Sequence, residues 1–170
     1  MSLARLRADA QSQVVGSSSG FGREAVELAL SKGDKVVATL RKPDAIKDLQ
    51  EKYPADRLVV VKADVTNKQD VADAFQKAVH AFGRVDVVFN NAGYSVVTEI
   101  ESTPDDAARN LFETNFWGAV NVSKEAVRVF RDVNKPSGGR LLTMSSFVGV
   151  TIMPSAGFYT ASKFGMWRRT

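Results

Sequence analysis

Val14-Val15-Gly16-Ser17-Ser18-Ser19-Gly20-Phe21-Gly22, followed by Arg23-Glu24-Ala25-Val26-Glu27-Leu28-Ala29-Leu30, is the stretch on which the reading of this chain turns. A short apolar run enters a loop with three glycines, and a helix-forming run leaves it. The order is strand, glycine turn, helix. Glycine lets the backbone turn sharply and come close to a ligand with no Cβ in the way. The helix after the turn opens with unpaired N–H groups and the positive end of its dipole. Together these favour an anion such as a pyrophosphate.

Outward from that turn, strands and helices alternate. Gln11, Ser12 and Gln13 are polar where a buried central strand is normally apolar, so only Val14-Val15 is read as strand, and residues 1–13 as an unstructured leader. A weak targeting segment is the alternative for that leader. The first helix stops near Gly33, a suitable C-cap residue. Lys35-Val36-Val37-Ala38-Thr39-Leu40 is strand two, and Pro43 opens a helix that ends at about Tyr53. Leu58-Val59-Val60-Val61 is strand three. From Lys68 to Phe82 the apolar residues Val71, Ala74, Phe75, Ala78, Val79 and Phe82 recur at helical steps, with Asn67 or Thr66 as the cap. Val85-Asp86-Val87-Val88-Phe89 is strand four. A long helix follows, with Thr103 as N-cap, Pro104 at its first position and an end near Val133. Arg140-Leu141-Leu142-Thr143-Met144-Ser145 is strand five, and a last helix holds Tyr159 and Lys163. The alternation predicts an α/β protein with a doubly wound parallel sheet covered on both faces. Residues 14–170 are one domain, with no repeat or linker.

The bulk numbers close off other classes. The chain has 170 residues, 44% of them apolar, no cysteine and one histidine, His80. Disulfides and cysteine-based metal or redox sites are excluded, and no metal centre is expected. No apolar run reaches the roughly 18 residues of a membrane span, so no membrane association and a cytoplasmic location are expected. The net charge is +4, but Arg5, Arg7, Arg168 and Arg169 lie in the two end segments, opposed there only by Asp9. Without a dense basic block, nucleic acid is not an expected partner.

Five features then coincide: Gly16-x-x-x-Gly20-x-Gly22, Asp64 after strand three, Asn90-Asn91-Ala92-Gly93, Asn115 in the long helix, and Ser146 with Tyr159-x-x-x-Lys163. Each is weak alone. In this order, on these elements, they make the chain resemble the short-chain dehydrogenase/reductase family from Val14 to about Gly165. The resemblance implies a three-layer α/β/α Rossmann fold with strand order 3-2-1-4-5. It also implies hydride transfer between a nicotinamide dinucleotide and a carbonyl or secondary alcohol, through a tetrad of Asn115, Ser146, Tyr159 and Lys163.

Tyr159 and Lys163 are four residues apart, hence on one helix face. Tyr159 is the expected acid/base, and the Lys163 ammonium favours its phenolate by charge. Ser146 is expected to hold the substrate oxygen; Ser145 is its rival, with strand-end capping as the preferred role for Ser145. The resemblance implies that Asn115 anchors a relay water and that Lys163 also binds the nicotinamide ribose. The cofactor is expected against Gly16, Ser18, Ser19, Gly20, Phe21 and Gly22, Arg41, Asp64 and Val65, Asn91, Ala92 and Gly93, and Tyr159 and Lys163. Asp64 is expected to accept from the adenine amino group. Strand two ends Thr39-Leu40-Arg41-Lys42, with two cations and no carboxylate to bind a ribose 2′-hydroxyl. NADP(H) is therefore expected in preference to NAD(H), its 2′-phosphate paired with Arg41.

The chain departs from the family at its end. Members run on for roughly a hundred residues more, within ordinary domain size. The last two parallel strands are therefore expected to be missing through truncation or a frame-shifted coding sequence, leaving strand five as a bare edge. The rival readings are a catalytically inactive nucleotide-binding fragment, an unstable product, or a dimerisation partner of a full-length relative. Homo-oligomers are expected through the helices at 104–133 and 156–170. A small carbonyl or alcohol molecule is the expected substrate, with its identity open.

Overall fold

The computed structural model describes residues 10–167. Five strands run parallel in the order β3-β2-β1-β4-β5, with β1 at Gln11–Val15, β2 at Lys35–Leu40, β3 at Leu58–Lys62, β4 at Val87–Asn90 and β5 at Arg140–Thr143. Helices α1 (Gly20–Ser31) and α2 (Lys47–Lys52) lie on one face, where Val26, Leu30, Ile46 and Leu49 pack on Val14, Val36 and Ala38. On the other face, α3 (Lys68–Phe82) and the long helix from Asp105 bury Phe75, Val122 and Val129 against Val15, Val37 and Val88. The result is the three-layer, doubly wound α/β/α sheet. No helix among the described residues is long and apolar enough to cross a membrane.

The centre of the sheet corrects the sequence reading. Gln11, Ser12 and Gln13 belong to β1, not to a leader; residues 1–9 lie outside the described residues. Their side chains argue against a central strand, but their backbone is paired on both edges: Gln13 sits opposite Val37 of β2 and Val88 of β4. A strand gripped from two sides is specified by the ladder, whatever its side-chain propensity. Gln13 is 1% exposed, and its Oε1 has no hydrogen-bond partner among the described residues.

Other boundaries are moved or settled. Thr103 does not cap the long helix: Pro104 occupies the cap position, and the Thr103 hydroxyl donates to the Glu99 carbonyl at 2.9 Å, closing the turn before it. Asn67, not Thr66, caps α3, accepting from the N–H groups of Gln69 and Asp70. The long helix is not uniform. It runs as α4 (Asp105–Phe112), a π-helical turn at Glu113–Gly118, α5 (Ala119–Arg128) and a second π-helical turn at Val129–Val133. β5 ends at Thr143, so Ser145 and Ser146 have already left the sheet when they reach the cleft described next.

Candidate active site

Parallel strands deliver their following loops to one edge of the sheet, and the loops after β1, β2, β3, β4 and β5 enclose a cleft of about 680 Å³ there. Open α/β sheets hold ligands at such carboxyl ends, where the strand order reverses. Here that reversal falls between β1 and β4.

The floor is the turn from β1 to α1. Gly16 has φ +77°, and its N–H, with that of Ser17, donates to the Thr39 carbonyl at 3.0 and 3.1 Å. The buried Ser17 hydroxyl donates to the Val14 carbonyl at 2.8 Å. A Cβ on Gly16 would stand 2.8 Å from the Ala92 Cα, so the turn lies flush against the loop after β4. The Asn91 amide donates to the Gly16 carbonyl at 3.2 Å and ties the two loops together. Gly22 fills the space behind the turn and does not line the cleft. At the N-terminus of α1, the cap residue Ser19 makes no side-chain cap hydrogen bond and the first turn has no acidic residue. The helix dipole and its first N–H groups therefore face the cleft without an internal acceptor.

One flank comes from β2 and β3. Exposed Arg41 and half-buried Asp64 both line the cleft, with Val65 beside them. Asp64 Oδ1 accepts from the Thr66 N–H and hydroxyl at 2.9 and 2.8 Å, which fixes the carboxylate in a local turn. The opposite flank comes from β4, β5 and α6 (Gly157–Trp167) and contains Ala92, Gly93, Tyr94, Ser146, Tyr159 and Lys163. The structure thus brings Ser146, Tyr159 and Lys163 to the same cleft as Ser18, Ser19, Gly20 and Phe21.

Asn115 stands behind that flank. It is fully buried in the first π-helical turn and does not line the cleft. Its Oδ1 accepts from the Tyr94 N–H at 3.0 Å; its amide donates to the Tyr94 carbonyl at 2.8 Å and to the Ser162 hydroxyl at 3.3 Å. Ser162 in turn donates to the Tyr159 carbonyl at 2.7 Å. Asn115 therefore couples the loop after β4 to the helix of Tyr159. Mid-helix π turns recur at functional sites because they re-aim one side chain. The sequence reading missed Ser162. The signal was its place directly before Lys163, one turn along from Tyr159.

The capping role falls on the other serine. Ser146, not Ser145, is the cap: its hydroxyl oxygen accepts from the Val148 N–H at 3.4 Å. That leaves the Ser146 hydroxyl proton for a ligand oxygen. The Ser145 hydroxyl is buried without a partner among the described residues, so the capping role expected for Ser145 is not observed.

Lys163 is 4% exposed, and its ammonium donates to the Met144 carbonyl at 3.0 Å and lies 5.9 Å from the centre of the Tyr159 ring. Burial pushes the Lys163 ammonium below the ordinary lysine range, because desolvation penalises the charged form. The stability consequence has a definite sign. Between the lowered folded value and the unfolded one, the unfolded chain binds more protons, so stability rises with pH across that window. Lys163→Met is accordingly expected to raise the urea midpoint at neutral pH, with the gain shrinking as the pH climbs toward 10.5. Urea melts of both proteins from pH 7 upward check this. A constant or growing gain would contradict the desolvation account.

Comparison with known proteins follows the same outline. The model of the family described as short chain dehydrogenase matches residues 12–169. An uncharacterized oxidoreductase of Schizosaccharomyces pombe is 39% identical over 153 residues, covering 90% of this chain and 50% of its own length. Oxidoreductase calM of Penicillium decumbens is 39% identical over 166 residues, covering 95% and 54%. A short-chain dehydrogenase from Streptomyces avermitilis superposes with a TM-score of 0.86 at 32% identity, over 95% of this chain and 58% of that one. The chain thus spans about half the length of the curated relatives it matches.

Proposed function

The chain belongs to the short-chain dehydrogenase family, and from that premise we propose that it is an NADP(H)-dependent oxidoreductase acting on a carbonyl or secondary alcohol. One observation carries the reading: a single cleft contains both the glycine turn beneath an open helix N-terminus and the Ser146, Tyr159, Lys163 group.

The residues present fit a dinucleotide. Gly16, packed so closely on the Ala92 backbone that no Cβ fits, and α1 N–H groups that the Ser19 side chain leaves uncapped suit a pyrophosphate. Arg41 would pair a 2′-phosphate, Asp64 would accept from the adenine amino group, and Val65, Asn91, Ala92 and Gly93 would bound the remainder. Tyr159 and Lys163 would hold the nicotinamide ribose. When bound, the nicotinamide supplies or accepts the hydride.

The chain's own groups handle the oxygen and its proton. Ser146 donates its hydroxyl proton to the substrate oxygen and so polarises the carbonyl. In the reductive direction Tyr159 Oη transfers its proton to that oxygen as the carbon receives hydride, giving the alcohol. The Lys163 ammonium stabilises the phenolate left behind. Asn115 supports the arrangement through Tyr94 and Ser162, and in that way the relay that restores the proton. The exposed ring of Trp117, close to half-buried Phe112 and Phe158, supports the long helix from Asp105 and α6 as the surface for a second copy.

The test is NADPH titration by fluorescence, followed by assay against a panel of ketones. Binding with turnover is expected. A second reading, nucleotide binding without turnover, is favoured by the chain's spanning about half the length of its relatives, and binding alone would select it. Cofactor choice has its own test. Arg41→Glu is expected to weaken NADPH by about tenfold, near 1.4 kcal/mol, while NADH is little affected. Unchanged NADPH affinity would remove Arg41 from the 2′-phosphate site.

A further inference from the structure

Arg23 directly follows Gly22 in the first turn of α1, and its guanidinium reaches across to the segment that follows β2. Nη1 and Nη2 donate to the two carboxylate oxygens of Asp48 in α2, the first at 3.2 Å, and Nη1 also donates to the Ala45 carbonyl at 3.4 Å. Nε donates to Glu27, one turn along α1, at 2.8 Å, which steadies the planar group from its own helix. A two-pronged pair within a network fixes direction as well as distance, where a lone surface ion pair fixes little.

The partners of Arg23 lie just beyond Arg41. The chain leaves β2 at Leu40, passes Arg41 and Lys42 with both side chains exposed, and enters a 3₁₀ turn at Pro43–Ile46 that runs straight into α2. The Ala45 N–H closes that turn on the Lys42 carbonyl at 3.1 Å. Its inner side is anchored by Ile46, buried in one cluster with Val26 and Leu30 of α1. Its outer side is tied to α1 by Arg23. One end of this link is therefore the glycine turn, and the other is the segment that carries Arg41 into the cleft.

We propose that Arg23 is a positioning residue for cofactor choice: by clamping residues 43–48 to the first turn of α1, it sets the reach from the glycine turn to Arg41. This rests on the NADP(H) reading of the cleft. A dinucleotide held by its pyrophosphate carries its 2′-phosphate at a fixed distance from that turn. Arg41 meets it with both prongs of its guanidinium only if the backbone beneath is already at that distance. An unphosphorylated ribose makes no such demand.

The experiment measures NADPH and NADH dissociation constants by fluorescence for the parent chain, Arg23→Gln, Asp48→Asn, the double variant and Arg23→Lys. Amide hydrogen exchange across residues 43–48 is followed in the same chains without ligand. Arg23→Gln and Asp48→Asn are each expected to weaken NADPH by about three- to tenfold, the size of effect carried by residues that touch no ligand. NADH is expected to stay within about twofold, and exchange across 43–48 to quicken. The double variant is expected to bind no worse than the weaker single one, because both changes remove the same link. Arg23→Lys is expected to recover part of the loss, since an ammonium cannot make the fork. Asp48→Asn separates a clamp from plain charge. Losing a carboxylate would by charge alone tighten NADPH, so tighter or unchanged binding overturns the proposal. Equal losses for NADPH and NADH also overturn it, the pair then serving α1 as a whole. So do additive losses in the double variant, or exchange that neither substitution alters. Quicker exchange in both single variants, with a parent chain that binds NADPH no better than NADH, supports the clamp and sinks the NADP(H) reading alone.

Discussion

Removing one oxygen atom, in Tyr159→Phe, is expected to lower ketone turnover by about 10²–10⁴-fold, the range for losing a positioned proton donor. The fold should not notice. The half-buried ring stays, its contact with Lys163 at 5.9 Å needs only the ring face, and the bond from Ser162 goes to the Tyr159 backbone carbonyl. Stability is therefore expected within about 0.5 kcal/mol of the parent chain. NADPH affinity is expected to fall far less than turnover, because the phenol contributes one of many contacts while the glycine turn and helix N-terminus are untouched. Steady-state rates, NADPH titration and a urea melt on the same preparations separate the three quantities. Turnover within tenfold of the parent would assign the proton to another group, with Ser146 the first to examine. A matching loss of turnover and NADPH affinity would mean that Tyr159 serves binding alone.

How far the sequence could be read follows from where each signal resides. β2 and α3 carry their own specification: β2 is a run of apolar and β-branched residues, and α3 has a capped helical period closed by Gly83 in the left-handed region. Both were legible to the residue. β1 was not, because its first three positions are strand only by virtue of the two ladders that grip them. The π-helical turns were invisible for a related reason. A single-residue widening of a helix hardly disturbs the apolar spacing, yet it determines where Asn115 points. The same limit governs the serines. Both follow β5 and both line the cleft, and only the backbone path after Thr143 makes Ser146 the cap while burying the Ser145 hydroxyl. Most residues singled out in the sequence line one cleft, but Gly22 and Asn115 stand behind it and Ser162 was not among them. The partnership of Asn115 with Tyr94 and Ser162, which holds the two sides of the site together, is a property of packing alone.

Gly22→Ala is expected to damage the molecule from behind the cleft rather than within it. A Cβ there would lie 2.1 Å from the Gly16 carbonyl oxygen and 2.7 Å from the Asn91 amide nitrogen. The first contact is with backbone, which cannot swing aside as a side chain could. Gly16 is itself fixed by its bond to Thr39 and by the Ala92 backbone behind it. Either α1 moves away from β1 or the turn opens. Both routes cost about 1–3 kcal/mol, the usual penalty for forcing volume into a packed site. Both also pull the first N–H groups of α1 out of register with the turn, and the Asn91 amide loses its bond to Gly16. NADPH affinity is therefore expected to fall by about two orders of magnitude, equivalent to about 2.7 kcal/mol, alongside a lower urea midpoint. Gly33→Ala supplies the control. Gly33 also has a positive φ, +97°, so an alanine there strains the backbone, but it lies at the opposite end of α1 with nothing within 4 Å of the added carbon. It should lower the midpoint without weakening NADPH. Equal loss of affinity in both variants would mean that α1 destabilisation, not displacement of its N-terminus, governs binding, and the glycine turn would no longer be the cofactor's anchor.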